Sequence, residues 1–102
     1  METKNQLVVK VDRDLEDITP GYLENRKKDL LLLPRAVAEK DFETLKMIGH
    51  RMKGSGAGYG FQFISDIGTR LEQAAKRQDL KEVQVCIEQL ADYLNRVEVV
   101  YL

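Results

Sequence analysis

The residues with the clearest chemical capacity sit together at His50-Arg51-Met52-Lys53-Gly54-Ser55, where the only histidine precedes a lysine by three positions. An imidazole nitrogen is a nucleophile and proton carrier near neutral pH, and a neighbouring ammonium can balance the charge of an anionic group brought to it. Glycines follow at 54, 56, 58 and 60. Inside a helix each costs about 1 kcal/mol of propensity relative to alanine, so their clustering needs a use other than helix stability. If residues 42–58 are helical, positions 42, 45, 48, 49, 52, 56 and 59 form the core stripe, with Gly49 and Gly56 as close-approach positions. His50 then faces water, with Lys53 and Gly54 beside it and Ala57 and Gly58 extending the same face. The result is an uncrowded imidazole, a nearby cation and a strip of helix almost free of side chains, on which another protein's backbone can come close. Taken singly, these residues have ordinary readings: a lone histidine is commonly a surface residue, and glycines before residue 60 can mark a frayed helix end. Their conjunction favours chemistry.

The remaining chain reads as the holder of that stretch. Pro20 suits the first position of a helix over about 20–39, with Thr19 as its cap. Tyr22, Leu23, Leu30, Leu33 and Val37 give this helix a core face, and Glu24, Arg26, Lys27, Lys28 and Asp29 a water-facing one. Pro34 lies inside the pattern, which predicts a kink. Asp41 caps the His50 helix that begins at Phe42. A third helix runs over about 61–77, packing through Ile64, Ile67, Gly68, Leu71, Ala74 and Ala75, with Phe61 and Phe63 closing the end of the core. Asp79, with Glu82 three residues later, resembles a capping box for a fourth helix, whose Leu80, Val83, Ile87, Leu90, Leu94 and Val97 follow three-and-four spacing. Residues 7–11 and 97–102 are β-branched and strand-like. They pair beside the helices, or the second prolongs the last helix. The expected fold is therefore all-α: an antiparallel four-helix bundle over 15–97, an extended N-terminal arm over 1–14 with a short additional helix or turn at Asp14–Ile18, and a C-terminal extension over 98–102.

With 102 residues there is room for one domain. Lys and Arg number 16 against 17 Asp and Glu, which argues against a general nucleic-acid binder, since affinity for phosphate backbones shows as a basic excess. Locally, Lys46, Arg51 and Lys53 still give the imidazole a positive surround that can steer an acidic partner. Cys86 is the sole cysteine, so no internal disulfide forms, and it reads as a helix residue rather than a redox centre. No apolar window approaches a membrane span. Cytoplasm is the expected compartment.

The run from His50 to Ser55, with Gly60 ten residues after the histidine and Leu71-Glu72-Gln73-Ala74-Ala75 in the next helix, resembles the signature of histidine-containing phosphotransfer domains over roughly residues 15–97. Met52 stands where that family usually has leucine, a change that conserves volume. The resemblance implies that His50 exchanges a phosphoryl group with the aspartate of a response-regulator receiver domain, with a hybrid histidine kinase as a further partner. It implies Lys53 as electrostatic support, Gly54, Ala57 and Gly58 as access surface and Gly60 as structural support. Glu72 reads as a packing or capping-network residue. No intrinsic cofactor is expected, Mg²⁺ belonging to the receiver, and no nucleotide loop of the Walker type is present, so no ATP-dependent kinase activity is expected. Neither nucleic acid nor membrane is an expected partner, and the chain is expected to be a monomer. The competing reading is a noncatalytic helical interaction module that keeps only the docking face. A di-metal bundle is disfavoured by one histidine among scattered carboxylates.

Overall fold

The computed structural model describes residues 6–102, so the first five residues of the expected arm lie outside it. The chain runs β1 (Leu7–Val11), a 3₁₀ turn (Arg13–Leu15), α1 (Thr19–Ala38), α2 (Phe42–Ser55), a second 3₁₀ turn (Ala57–Tyr59), α3 (Gln62–Lys76), α4 (Leu80–Arg96) and β2 (Val97–Tyr101). The four helices form a bundle in which each packs on two others, α1 with α2 and α4, and α3 with α2 and α4. One core joins Leu33, Leu45, Ile48, Met52, Phe61, Ile64, Leu71, Val83, Cys86 and Leu90, all essentially removed from solvent. Buried there, the Cys86 thiol has its pKa pushed up, the opposite of what a reactive thiolate needs. Among the described residues no helix is long and apolar enough to cross a membrane.

Local chemistry accounts for most of the boundaries. The Asp41 carboxylate accepts from the Thr44 amide at 3.1 Å and from its hydroxyl at 2.6 Å, starting α2 as the sequence predicts. Asp79 likewise accepts from the Glu82 amide to start α4, but the box is half made, because Glu82 turns instead to Arg70 of α3. Thr19 is not the cap of α1. It is the first residue of the helix, Ile18 precedes it with no capping side chain, and the Thr19 hydroxyl donates to the Leu15 carbonyl at 2.7 Å, tying α1 to the preceding turn. The helix is one piece and passes through Pro34.

Two expectations about exposure are overturned. Asp29 does not face water: it is 6% exposed and held by Arg26 at 2.8 Å, and the Arg26 guanidinium lies over the Tyr22 ring, so a charged pair is tolerated because each partner satisfies the other. Phe63 does not close the core. It stays 38% exposed and stacks on Tyr93, while Phe61 alone is fully buried.

The terminal segments pair with each other, β1 alongside β2 in parallel from Leu7 opposite Val97 to Val11 opposite Tyr101. α4 therefore ends at Arg96 and Val97 opens a strand.

The tightest packing is between α2 and α3, where glycines replace side chains. A Cβ on Gly49 would lie 2.6 Å from the Glu72 amide nitrogen and 2.9 Å from the Gly68 carbonyl; one on Gly68 would fall on the Lys53 amide nitrogen and the Gly49 carbonyl. Gly54 meets nothing within 4 Å. The two classes should respond oppositely to alanine. Gly68→Ala should lose about 2 kcal/mol or more in chemical denaturation, since the obstruction is backbone that cannot turn aside; Gly54→Ala should be neutral or gain up to about 1 kcal/mol from helix propensity. A stable Gly68→Ala protein would mean the helices are not in backbone contact.

Candidate functional site

α2 presents His50 and Lys53 one turn apart, and α3 brings Glu72 beneath them. The pairing follows from the glycine contact: His50 comes directly after Gly49, Glu72 is one turn after Gly68, and Gly49 lies against both Gly68 and the Glu72 backbone. Glu72 Oε2 lies 2.9 Å from His50 Nδ1, and Glu72 Oε1 lies 3.1 Å from Lys53 Nζ. The three side chains differ sharply in exposure, His50 at 68%, Lys53 at 46% and Glu72 at 8%. The carboxylate is the buried anchor; the imidazole is the accessible tip.

Glu72 is held below the ordinary glutamate pKa, first by the Lys53 hydrogen bond, with burial opposing and the His50 contact adding to the effect. An ionised carboxylate can only accept, so the proton of the contact to His50 belongs on Nδ1. In the neutral ring Nε2 then carries the free lone pair. Among the described residues no other side chain bonds the imidazole, and the ring stands in solvent. The arrangement can therefore offer an oriented, uncrowded nitrogen nucleophile beside a cation.

Ser65 of α3 sets where α2 stops. In a continued helix the Ala57 amide would bond the Lys53 carbonyl; here the Ser65 hydroxyl accepts from Ala57 at 2.8 Å and donates to Lys53 at 3.0 Å, standing between them. α2 thus ends at Ser55, and Gly56, the residue after it, packs so closely on Ser65 that a Cβ would lie 2.6 Å from the Ser65 amide. Ala57 and Gly58 belong to the 3₁₀ turn that follows rather than to another turn of α2; both are exposed, and Gly58 has open space around it. Tyr59 fixes that turn by stacking on Tyr22, with ring centroids 4.1 Å apart. Gly60 ends it in the left-handed region at φ 96°, against the Val11 side chain.

Among the described residues no three His, Cys, Asp or Glu side chains gather as a metal-binding group. The structure brings His50 and Lys53 together as the spacing implied and leaves Gly54 open at their side. It adds Glu72, which caps nothing; its carboxylate is shared by His50 and Lys53. The signal was legible: Glu72 falls on the apolar stripe of α3 with Ile64, Gly68, Leu71 and Ala75, where a carboxylate requires partners.

The depressed Glu72 pKa makes a stability prediction with a definite sign. A carboxylate whose folded pKa lies below its unfolded one contributes stability that is full above the unfolded value and is lost as pH falls through the folded one. The stability difference between wild type and Glu72→Gln should therefore be constant near neutrality and shrink below about pH 5, as read by denaturation at a series of pH values. A difference that persisted undiminished below that range would mean that the carboxylate's charge is not what its partners hold.

A family model for the Hpt domain matches residues 11–99. No curated protein and no solved structure gives a significant match to the chain. The family match takes in the bundle, the His50–Lys53–Glu72 cluster and parts of both terminal strands, and on that extent the chain belongs to the Hpt domain family.

Proposed function

We propose that His50 is the phosphoacceptor of a phosphorelay intermediate and exchanges a phosphoryl group with the aspartate of a response-regulator receiver domain. The observation that carries this reading is the exposed imidazole hydrogen-bonded through Nδ1 to a buried carboxylate. In the transfer, the Nε2 lone pair forms the N–P bond as the P–O bond to the receiver's aspartate breaks, and that carboxylate leaves with the electron pair. The ring keeps its Nδ1 proton and becomes formally positive. Glu72 stabilises that charge through the hydrogen bond it already makes, and the reverse transfer passes through the same arrangement.

Lys53 supports the incoming phosphoryl group. Its ammonium has three donors, and one is engaged by Glu72, leaving others for phosphoryl oxygens. Gly54, Ala57 and Gly58 form the surface over which the receiver's backbone approaches, and Gly60 supports the turn. The chain needs no cofactor of its own in this reading; Mg²⁺ and the carboxylates that hold it belong to the receiver. A hybrid histidine kinase is the natural upstream source, and cytoplasm is the compartment implied.

The test is transfer from a phosphorylated receiver. Wild type should acquire an acid-labile, base-stable phosphoryl group, and His50→Gln should acquire none. Lys53→Ala should slow the transfer by roughly 100-fold, in line with removal of one donor aimed at developing charge. Labelling that persists undiminished in His50→Gln would refute the assignment; receiver binding without any phosphohistidine would favour the interaction module.

A further inference from the structure

The paired terminal strands leave a free edge. The Leu102 amide bonds the Val11 carbonyl at 2.9 Å, which fixes the parity of the parallel pair: the main chains of Leu7, Val9 and Val11 face β2, and those of Val8 and Lys10 face away from it. Among the described residues no other strand pairs with β1. Along that free edge runs a groove of about 830 Å³, lined by Gln6, by residues 7–10 of β1, and by Phe63 stacked on the largely buried Tyr93, with no residue of β2 in its wall. On the solvent face of the ribbon Val8 is 57% exposed and Val100 42%. An accessible edge beside exposed valines is a template for another strand.

We infer that the occupant is β1 of a second copy of this chain, added antiparallel with a two-fold axis at Val9 to make a continuous four-stranded sheet. Three features select this partner and register. First, residues 8 and 10 are the ones with outward main chains, and an antiparallel pair centred on Val9 sets Val8 opposite Lys10 of the second copy and Lys10 opposite its Val8, so all four outward residues bond one another. Second, each row on the solvent face reads Glu98, Val8, Lys10 of the second copy, Val100 of the second copy. Glu98 and that lysine flank one valine about 10 Å apart across two strand spacings, within reach of two long side chains of opposite charge. Third, the rows on the inner face are wholly apolar, Val99 and Val9 continuing into the Val9 and Val99 of the second copy. Lys10, the one charged side chain on β1, does not block the edge because no lysine stands opposite it. The pairing also sets each copy's β1 along the other's Phe63–Tyr93 groove, adding apolar contact to the hydrogen bonds. It departs from the monomer expected from the sequence and does not depend on the chemistry at His50.

Sedimentation equilibrium of the full chain over a concentration series, with amide exchange followed in parallel, tests this. The mass should rise from 11.7 kDa toward twice that value. The Val8 and Lys10 amides should slow with concentration, while those of Val9 and Val11 stay protected throughout. Val8→Pro removes an outward donor and no β1–β2 bond, so it should give a monomer with unchanged helical circular dichroism. Lys10→Glu should weaken association about tenfold, because each dimer holds two such rows, and Lys10→Glu with Glu98→Lys should restore it. A mass of 11.7 kDa at every concentration would overturn the inference. So would a dimer in which the Val8 and Lys10 amides exchange as freely as in dilute protein, or one whose affinity ignores both charge variants.

Discussion

The structure depends on two helices meeting without side chains between them. Gly49 and Gly68 let the α2 and α3 backbones touch, and a methyl group at either position would overlap main-chain atoms of the other helix. This contact, rather than any bond at the surface, brings the Glu72 carboxylate up to His50 and Lys53. Side chains at the crossing would hold the helices at the usual 8–10 Å between axes, and the carboxylate would sit lower or farther from the imidazole. Gly56 against Ser65 repeats the device one helical stretch on, so the same pair of helices stays in register to the end of α2.

Glu72 makes that closeness electrostatically useful. A carboxylate this buried is costly unless its oxygens are satisfied, and here each oxygen has one partner, Lys53 on Oε1 and His50 on Oε2. The lysine holds the pKa of the acid down against the effect of burial, and the ionised acid, able only to accept, places the proton on Nδ1. The orientation of the imidazole is therefore set from beneath by a buried group. The outer surface is left to glycines and an exposed turn, held by the Tyr22–Tyr59 stack and by the Ser65 hydroxyl at the end of α2.

Much of this was legible in the sequence. The caps at Asp41 and Asp79, the apolar spacing of α4, the core stripe of α2 and the close-approach role of Gly49 and Gly56 all follow from local propensity and periodicity, which act within a few residues. The misreadings share a different cause. Asp29 has charged sequence neighbours and so reads as a surface charge, but it is buried against Arg26, whose guanidinium pairs with it while lying over the Tyr22 ring. Size alone puts Phe63 in the core, whereas α3 turns Ile64 inward in its place. Glu72 and Ser65 have roles decided by which residues of α2 lie across from them, and the end of α2 at Ser55 is imposed by a hydroxyl ten residues downstream. Periodicity within one helix carries no information about that register.

The buried Glu72 carboxylate should fix the His50 tautomer and leave Nε2 as the bare ring nitrogen. Nitrogen-15 NMR of the imidazole in the unphosphorylated protein, at a pH where the ring is neutral, reads this directly. Wild type should carry a proton on Nδ1 and a bare Nε2, with that preference weakened in Glu72→Ala. A ring protonated on Nε2, or a tautomer ratio indifferent to the loss of Glu72, would contradict it.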